Sequence, residues 1–293
     1  MEIGIDLGGT KTEGVLLDRA GEVVARDRHP TPAQQGYDAI LNTIATLVGS
    51  LERQSAQRCS IGVATPGAVD TTGRIKNSNT RCLIGKPLLK DLENCLSRPV
   101  RLENDANCFA LAEALDGAGQ GARNVFGVIM GTGVGGGIVI NGKLLSGLQH
   151  IAGEWGHNCL EEDGPPCYCG KRGCIETFLS GPGFMSDYQR LGGDAALRPP
   201  QIVEQADQED AIAVQAVDNL LERFGKALAS VINILDPHVV ILGGGLSNID
   251  KLYTEGRERI AAYVFNSSLQ TPLLRNQNGD SAGVLGAARL WRA

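Results

Sequence analysis

The chain has no surplus of positive charge. Its 27 Lys and Arg face 33 Asp and Glu, a formal net charge of −6. That excludes a strongly basic nucleic-acid binder, whose first mark is a cationic excess. No run of about 18 apolar residues occurs, so no membrane-spanning helix is expected. No signal-peptide pattern precedes the strand-like run that starts at Glu2, which points to a cytoplasmic protein without a disulfide framework. The Walker A pattern is missing. No Pro/Ser-rich linker separates the two halves. With 42% hydrophobic and 20% charged residues, the 293-residue chain has a globular balance and the length for two domains.

Glycine is in excess, with 39 residues, about twice the usual share. Many tight turns and close backbone approaches to a ligand are expected. Much of this glycine lies in an internal repeat. Residues 4–18 read GIDLGGTKTEGVLLD and residues 127–141 read GVIMGTGVGGGIVIN. Gly4, Gly8 and Gly14 match Gly127, Gly131 and Gly137 at a constant offset. Each copy is an apolar strand, a Gly/Thr-rich turn and a second apolar strand, the pattern of a β-hairpin. Such turns let backbone N–H groups converge on an anion, so two copies predict two related domains gripping one polyphosphate. Residues Gly131–Gly136 also fit G-x-G-x-x-G, with Glu154 about 20 residues on. That dinucleotide fingerprint requires a following helix, and Gly137-Ile138-Val139-Ile140 is strand-like.

Elsewhere strands and helices alternate, so the class is α/β. Helical spacing of apolar residues marks 37–51 and 217–235, and a last helix spans 281–291. Strands are expected at 60–64, 100–102 and 239–242, the last ending in Gly243-Gly244-Gly245. A helix over 106–115 follows Glu103-Asn104-Asp105, where Asn or Asp suits an N-terminus. Of the eight cysteines, Cys59, Cys95 and Cys108 fall in apolar patterns and read as core residues; Cys82 is ambiguous. His157, Cys167, Cys169 and Cys174 form H-x9-C-x-C-x4-C, a donor set that suits a closed tetrahedral Zn²⁺ site. Cys159 is an alternative ligand.

Six motifs in order carry a resemblance that covers essentially the whole chain. They are Asp6–Lys11, Glu103–Asn107, Gly131–Gly137, Gly153–His157, the cysteine cluster ending in Gly173-Cys174-Ile175-Glu176, and Gly243–Gly245. The sequence resembles the sugar kinases of the ROK family, within the actin-like ATPase superfamily. Lys76-Asn77-Ser78-Asn79 and Cys167-Tyr168-Cys169-Gly170 look closest to bacterial fructokinases and mannokinases. The resemblance implies two actin-like, ribonuclease H-like domains with an interdomain cleft. One would hold residues 1–117 plus 279–293, the other 118–278 and the zinc site.

The implied activity is ATP-dependent phosphorylation of the 6-hydroxyl of a free hexose, fructose or mannose first. N-acetylglucosamine, N-acetylmannosamine or glucose are the alternatives. The implied cofactors are ATP, Mg²⁺ and structural Zn²⁺, and the implied state is a homodimer. Asp6, Gly8, Gly9, Thr10, Lys11, Gly131, Thr132, Gly133 and Gly243–Gly245 would face the nucleotide, with Asp6 near Mg²⁺. Asp105 would be the general base; its bland alternative is a helix cap. Gly67, Asn104, Glu154, His157 and Glu176 would contact sugar, His157 using the ring nitrogen that zinc leaves. A sugar-sensing repressor is the non-enzyme reading, but it would carry a helix-turn-helix ahead of the first phosphate loop, which here begins at residue 6. A non-catalytic sugar- or zinc-binding module would have no use for both phosphate hairpins and Asp105.

Overall fold

The computed structural model describes residues 1–55 and 57–292. In chain order the strands are β1 (Glu2–Leu7), β2 (Lys11–Leu17), β3 (Val23–Pro30), β4 (Ser60–Thr65), β5 (Ala68–Val69), β6 (Ile75–Lys76), β7 (Arg101–Asn104), β8 (Asn124–Met130), β9 (Val134–Ile140), β10 (Lys143–Leu144), β11 (Val239–Gly243) and β12 (Leu273–Arg275). The helices are α1 (Tyr37–Ser55), α2 (Leu88–Leu96), α3 (Asp105–Asp116), α4 (Glu176–Leu179), α5 (Gly181–Arg190), α6 (Pro199–Asp207), α7 (Ala211–Leu235), α8 (Glu255–Tyr263) and α9 (Ala282–Arg289). Two five-stranded sheets result, ordered β3-β2-β1-β4-β7 and β10-β9-β8-β11-β12. Each has an antiparallel pair toward one edge and parallel strands beside it, in the same order along the sheet, which is the repeat made visible as structure. As expected, a strand and not a helix follows Gly131–Gly133, so the dinucleotide fingerprint does not apply.

The chain divides into two compact units. One holds residues 1–120, 137–152 and the segment from Asn278; the other holds 121–136 and 153–277. The division expected from the motifs differs at 137–152. That stretch packs with the first unit because Gly137 lies against α3, where an added Cβ would sit 2.7 Å from Ala110 and 2.8 Å from the Ala106 carbonyl. Ser146 Oγ is also 3.3 Å from the Glu103 carboxylate.

In the first unit, Ile3, Ile5 and Leu7 of β1 and Ile61 and Val63 of β4 meet Ile40, Ile44, Leu47 and Leu51 of α1 in one buried core. These α1 residues recur every three to four positions, so one stripe of the helix is covered. Helix α9 lies close enough to the sheet to demand glycine: a Cβ on Gly4 would sit 2.1 Å from the Val284 carbonyl and one on Gly62 1.9 Å from that of Ala287. In the second unit the long helix α7 buries Val217, Leu220, Leu221, Phe224 and Leu228. Among the cysteines, Cys59 and Cys108 are buried, but Cys95 is exposed. It lies in the last turn of α2, beyond the buried pair Leu88 and Leu92. Among the described residues no helix is long and apolar enough to cross a membrane.

Candidate functional site

The first hairpin brings Asp6 opposite Glu13 and Leu7 opposite Thr12, leaving Gly8-Gly9-Thr10 as the turn. Gly8 is required there, since a Cβ would approach the Lys11 carbonyl to 2.7 Å, whereas Gly9 has open space around it. Burial, and then the neighbouring carboxylates of Asp105 and Glu13, push the Asp6 carboxyl up to about 7, with the Lys11 ammonium opposing them. Asp6 and Asp105 therefore sense one another, and a cation beside them would relieve the repulsion. Lys11, assigned to phosphate by the resemblance, holds its ammonium 3.9 Å from Glu13. Glu13 is buried and also accepts from Arg26 and Arg28 at 2.6 Å each.

At the end of β7, the capping alternative for Asp105 falls to its neighbour. Asn104 is the N-cap of α3, its side-chain oxygen accepting from Ala106 N at 2.8 Å and Asn107 N at 3.3 Å. Asn104 can do this because its backbone is still extended when the helix begins. Asp105 is the first helical residue, its carboxylate accepting from Ala106 N at 2.8 Å. The amide of Asn104 donates to the Gly67 carbonyl at 3.1 Å. Gly67 has φ +86°, and a Cβ there would collide with the Lys76 carbonyl at 2.4 Å. Turn geometry alone therefore requires glycine at 67. Both functional ends of Asn104, assigned to sugar by the resemblance, are engaged with the protein. Sequence reasoning missed Glu103, which accepts from Asn104 N at 2.9 Å and from the Asn107 side chain at 3.0 Å. It stands at the head of the Glu103–Asn107 motif, where no role was assigned to it.

In the second unit, the turn Gly131-Thr132-Gly133 closes through Gly131 N donating to Gly133 O at 2.9 Å. Glu176, expected to read sugar, opens α4 and accepts the backbone N–H of Val134 at 2.9 Å. A Cβ on Gly133 would meet that carboxylate at 2.6 Å. Glu176 thus anchors the second turn with one oxygen. Its other oxygen lies 3.9 Å from Cys167 Sγ. Gly244, with φ +79°, approaches the same turn: a Cβ would sit 2.6 Å from the carbonyl of Met130. The glycines at the end of β11 and the second glycine turn are packed directly on each other. Glu154 precedes the short 3-10 helix Trp155–His157, which places His157 at the cysteine cluster.

The ligating atoms of His157, Cys167, Cys169 and Cys174 all lie within 4.8 Å of one another. His157 Nδ1 is 3.6 Å from Cys167 Sγ, and Cys169 and Cys174 Sγ are also 3.6 Å apart. A tetrahedral zinc with Zn–S bonds of ~2.3 Å has ligand–ligand edges of about 3.7 Å, so the cluster has the size of that coordination shell. Burial and then the Cys169 and Cys167 thiols push Cys174 up to about 12. A dication reverses that balance by favouring thiolates. Glycine shapes the loop, for Gly173 at φ +61° lies against the Glu161 carbonyl with no room for a side chain. The second ring nitrogen of His157, expected to face sugar, instead meets the hydroxyl of Tyr168 at 3.1 Å. The two rings are edge-on, with centroids 5.2 Å apart.

Comparison with known proteins agrees with this architecture. The family model described as "ROK family" matches residues 2–293. The N-acetyl-D-glucosamine kinase of Vibrio atlanticus is 40% identical over 301 residues, covering 99% of both chains. That of Haemophilus influenzae is 38% identical over 303 residues with the same coverage. Among solved structures, a ROK hexokinase from Thermus thermophilus matches with a TM-score of 0.87 and 34% identity, covering 98% of this chain and 96% of its own. The fold is therefore the two-domain actin-like one, and the chain belongs to the ROK family.

Proposed function

We propose that this protein is an ATP-dependent sugar kinase that phosphorylates the 6-hydroxyl of an N-acetylhexosamine, N-acetylglucosamine first. Whole-chain similarity to N-acetyl-D-glucosamine kinases supports this reading most. The fructose or mannose preference suggested by Lys76–Asn79 and Cys167–Gly170 gives way to it. Those motifs cover four residues each, whereas the relatives match over 99% of the chain.

In this reading Asp105 accepts the proton of the attacking hydroxyl, a task that suits a carboxylate fixed at the first residue of a helix. Asn104 fixes it there by capping α3 and gripping Gly67. The N–H groups of the two glycine turns offset the phosphate charge, and phosphoryl transfer needs little more from the protein than such positioning. Asp6 is the residue that fits Mg²⁺: a carboxyl held near 7 by burial and by other carboxylates gains from a dication beside it. When bound, Mg²⁺ would neutralise charge on the transferred phosphate. Zn²⁺ would be held by His157, Cys167, Cys169 and Cys174, shaping the loop between Glu154 and Glu176 without touching phosphate.

The test is a coupled phosphorylation assay with Mg²⁺ and ATP against N-acetylglucosamine, N-acetylmannosamine, glucose, fructose and mannose. Preference for an N-acetylhexosamine supports the reading. Preference for fructose overturns the substrate, and no turnover on any of the five overturns the activity.

A further inference from the structure

One residue outside every motif holds the first glycine turn in shape. Strand β3 pairs with β2 as far as Lys11 opposite Pro30. Proline has no N–H to continue the ladder, so the chain turns there. The next residue, Thr31, donates its backbone N–H to the Thr10 carbonyl at 2.9 Å. Its hydroxyl donates to the Gly8 carbonyl at 2.7 Å. A hydroxyl has one hydrogen, so the 2.9 Å contact with the fully buried Thr12 hydroxyl runs from Thr12 to Thr31. Thr31 thus bonds both ends of the turn and the side chain behind it.

These bonds aim donors as well as acceptors. In a trans peptide the carbonyl of one residue and the N–H of the next point in opposite directions within one plane. Fixing the Gly8 carbonyl toward Thr31 fixes the Gly9 N–H away from it. Fixing the Thr10 carbonyl does the same for the Lys11 N–H. Gly9 is exposed, with nothing within 4 Å of where a Cβ would lie, so its N–H direction is set by this plane and not by side-chain packing. A glycine there is otherwise free to rotate.

We infer that Thr31 is a positioning residue for phosphate: by clamping the Gly8 and Thr10 carbonyls it aims the Gly9 and Lys11 N–H groups at the anion. This rests on the proposal that the turn binds nucleotide, and it adds a residue that the turn's own sequence does not contain. Thr31 acts through the turn and does not itself touch the reacting atoms.

Thr31→Val removes the hydroxyl and keeps the side-chain shape, while Thr31→Ser keeps the hydroxyl. Full-length wild type and both variants are titrated with a non-hydrolysable ATP analogue and Mg²⁺ by calorimetry, and melting temperatures are recorded alongside. The expected result is an analogue Kd about tenfold weaker in Thr31→Val, the size of one lost hydrogen bond, and within about twofold of wild type in Thr31→Ser. In turnover assays the KM for ATP should follow the Kd while the KM for sugar stays put, a split that general loosening of the fold would not give. Wild-type affinity in a folded Thr31→Val overturns the inference, as does equal weakening in both variants. Wild type that binds no analogue overturns instead the underlying reading of the turn.

Discussion

The side-chain amide of Asn104 donates to the carbonyl of Gly67 at 3.1 Å, joining the start of helix α3 to a turn that only glycine can make. The same side chain caps the helix through its oxygen. Asn104→Ala removes both ends and should cost about 1–2 kcal/mol of stability. Asn104→Asp keeps the cap and loses only the donor. It should melt closer to wild type than the alanine variant, and thermal denaturation of the pair decides this. Equal loss in both would show that the cap contributes little.

Asp105→Asn keeps the size of the proposed base and removes its ability to take a proton. The turnover number should fall about 10²–10⁴-fold. The melting temperature should hold or rise, because one of the carboxylates repelling Asp6 disappears. Steady-state kinetics with N-acetylglucosamine give the first number and calorimetry the second. Turnover within tenfold of wild type would remove Asp105 from the chemistry.

Asp6 gives a pH signature. Its folded value near 7 lies above its ordinary value of 3.8, so the native state binds more protons than the unfolded chain between the two. The stability of the metal-free protein should therefore be fullest below about pH 4 with respect to this group and be lost as pH rises through 7. Asp6→Asn lacks that titration. Its stability advantage over wild type should widen from pH 4 to 7 and then level off, as read from denaturant midpoints at each pH. A constant difference would mean that Asp6 ionises normally.

Removing a ligand from the cysteine cluster should be read in metal as well as activity. Wild type should carry about one zinc per chain by elemental analysis, and Cys174→Ser should lose most of it. The KM for sugar should rise in the variant by more than the KM for ATP, because the loop connects His157 to Glu176 and leaves the first hairpin alone. A zinc-free preparation with full activity and an unchanged melting temperature would refute the structural role.

Gly244→Ala should be costly although it adds one methyl group. The residue has φ +79° and no room before the Met130 carbonyl. Backbone strain of about 1–3 kcal/mol is expected. The displaced neighbour is the second glycine turn, proposed to bind phosphate, so the KM for ATP should rise with the fall in melting temperature. Retained affinity would separate the β11 glycines from the nucleotide.

Much of this was legible in the chain. The hairpins announced themselves because each turn holds little besides glycine and threonine between apolar strands. Helix α7 was legible because Val217, Leu220, Leu221, Phe224 and Leu228 recur at helical spacing and are all buried. The His/Cys cluster was legible because a short loop brings its four side chains together locally. What stayed hidden depends on distant partners. Strand β3 reads Val-Val-Ala-Arg-Asp-Arg-His-Pro, and its charges conceal an edge strand whose Arg26 and Arg28 reach across to Glu13. Asn104 and Asp105 are both good caps by composition, and only the backbone decides between them. Glu176 turned out to hold the Val134 N–H, a contact 42 positions away that no spacing rule encodes.

The cysteine cluster has a bearing on how such proteins diverge. A metal held there would tie together the two ends of the loop, alongside the close packing of Gly173 on the Glu161 carbonyl. Tyr168 stands between two of the ligands and is 70% exposed, yet its hydroxyl reaches His157. A change at such a position would free the His157 ring nitrogen and leave the three thiols of the cluster in place. On the proposed function, this exposed loop residue is a place where sequence can vary while the hairpins and Asp105 stay as they are.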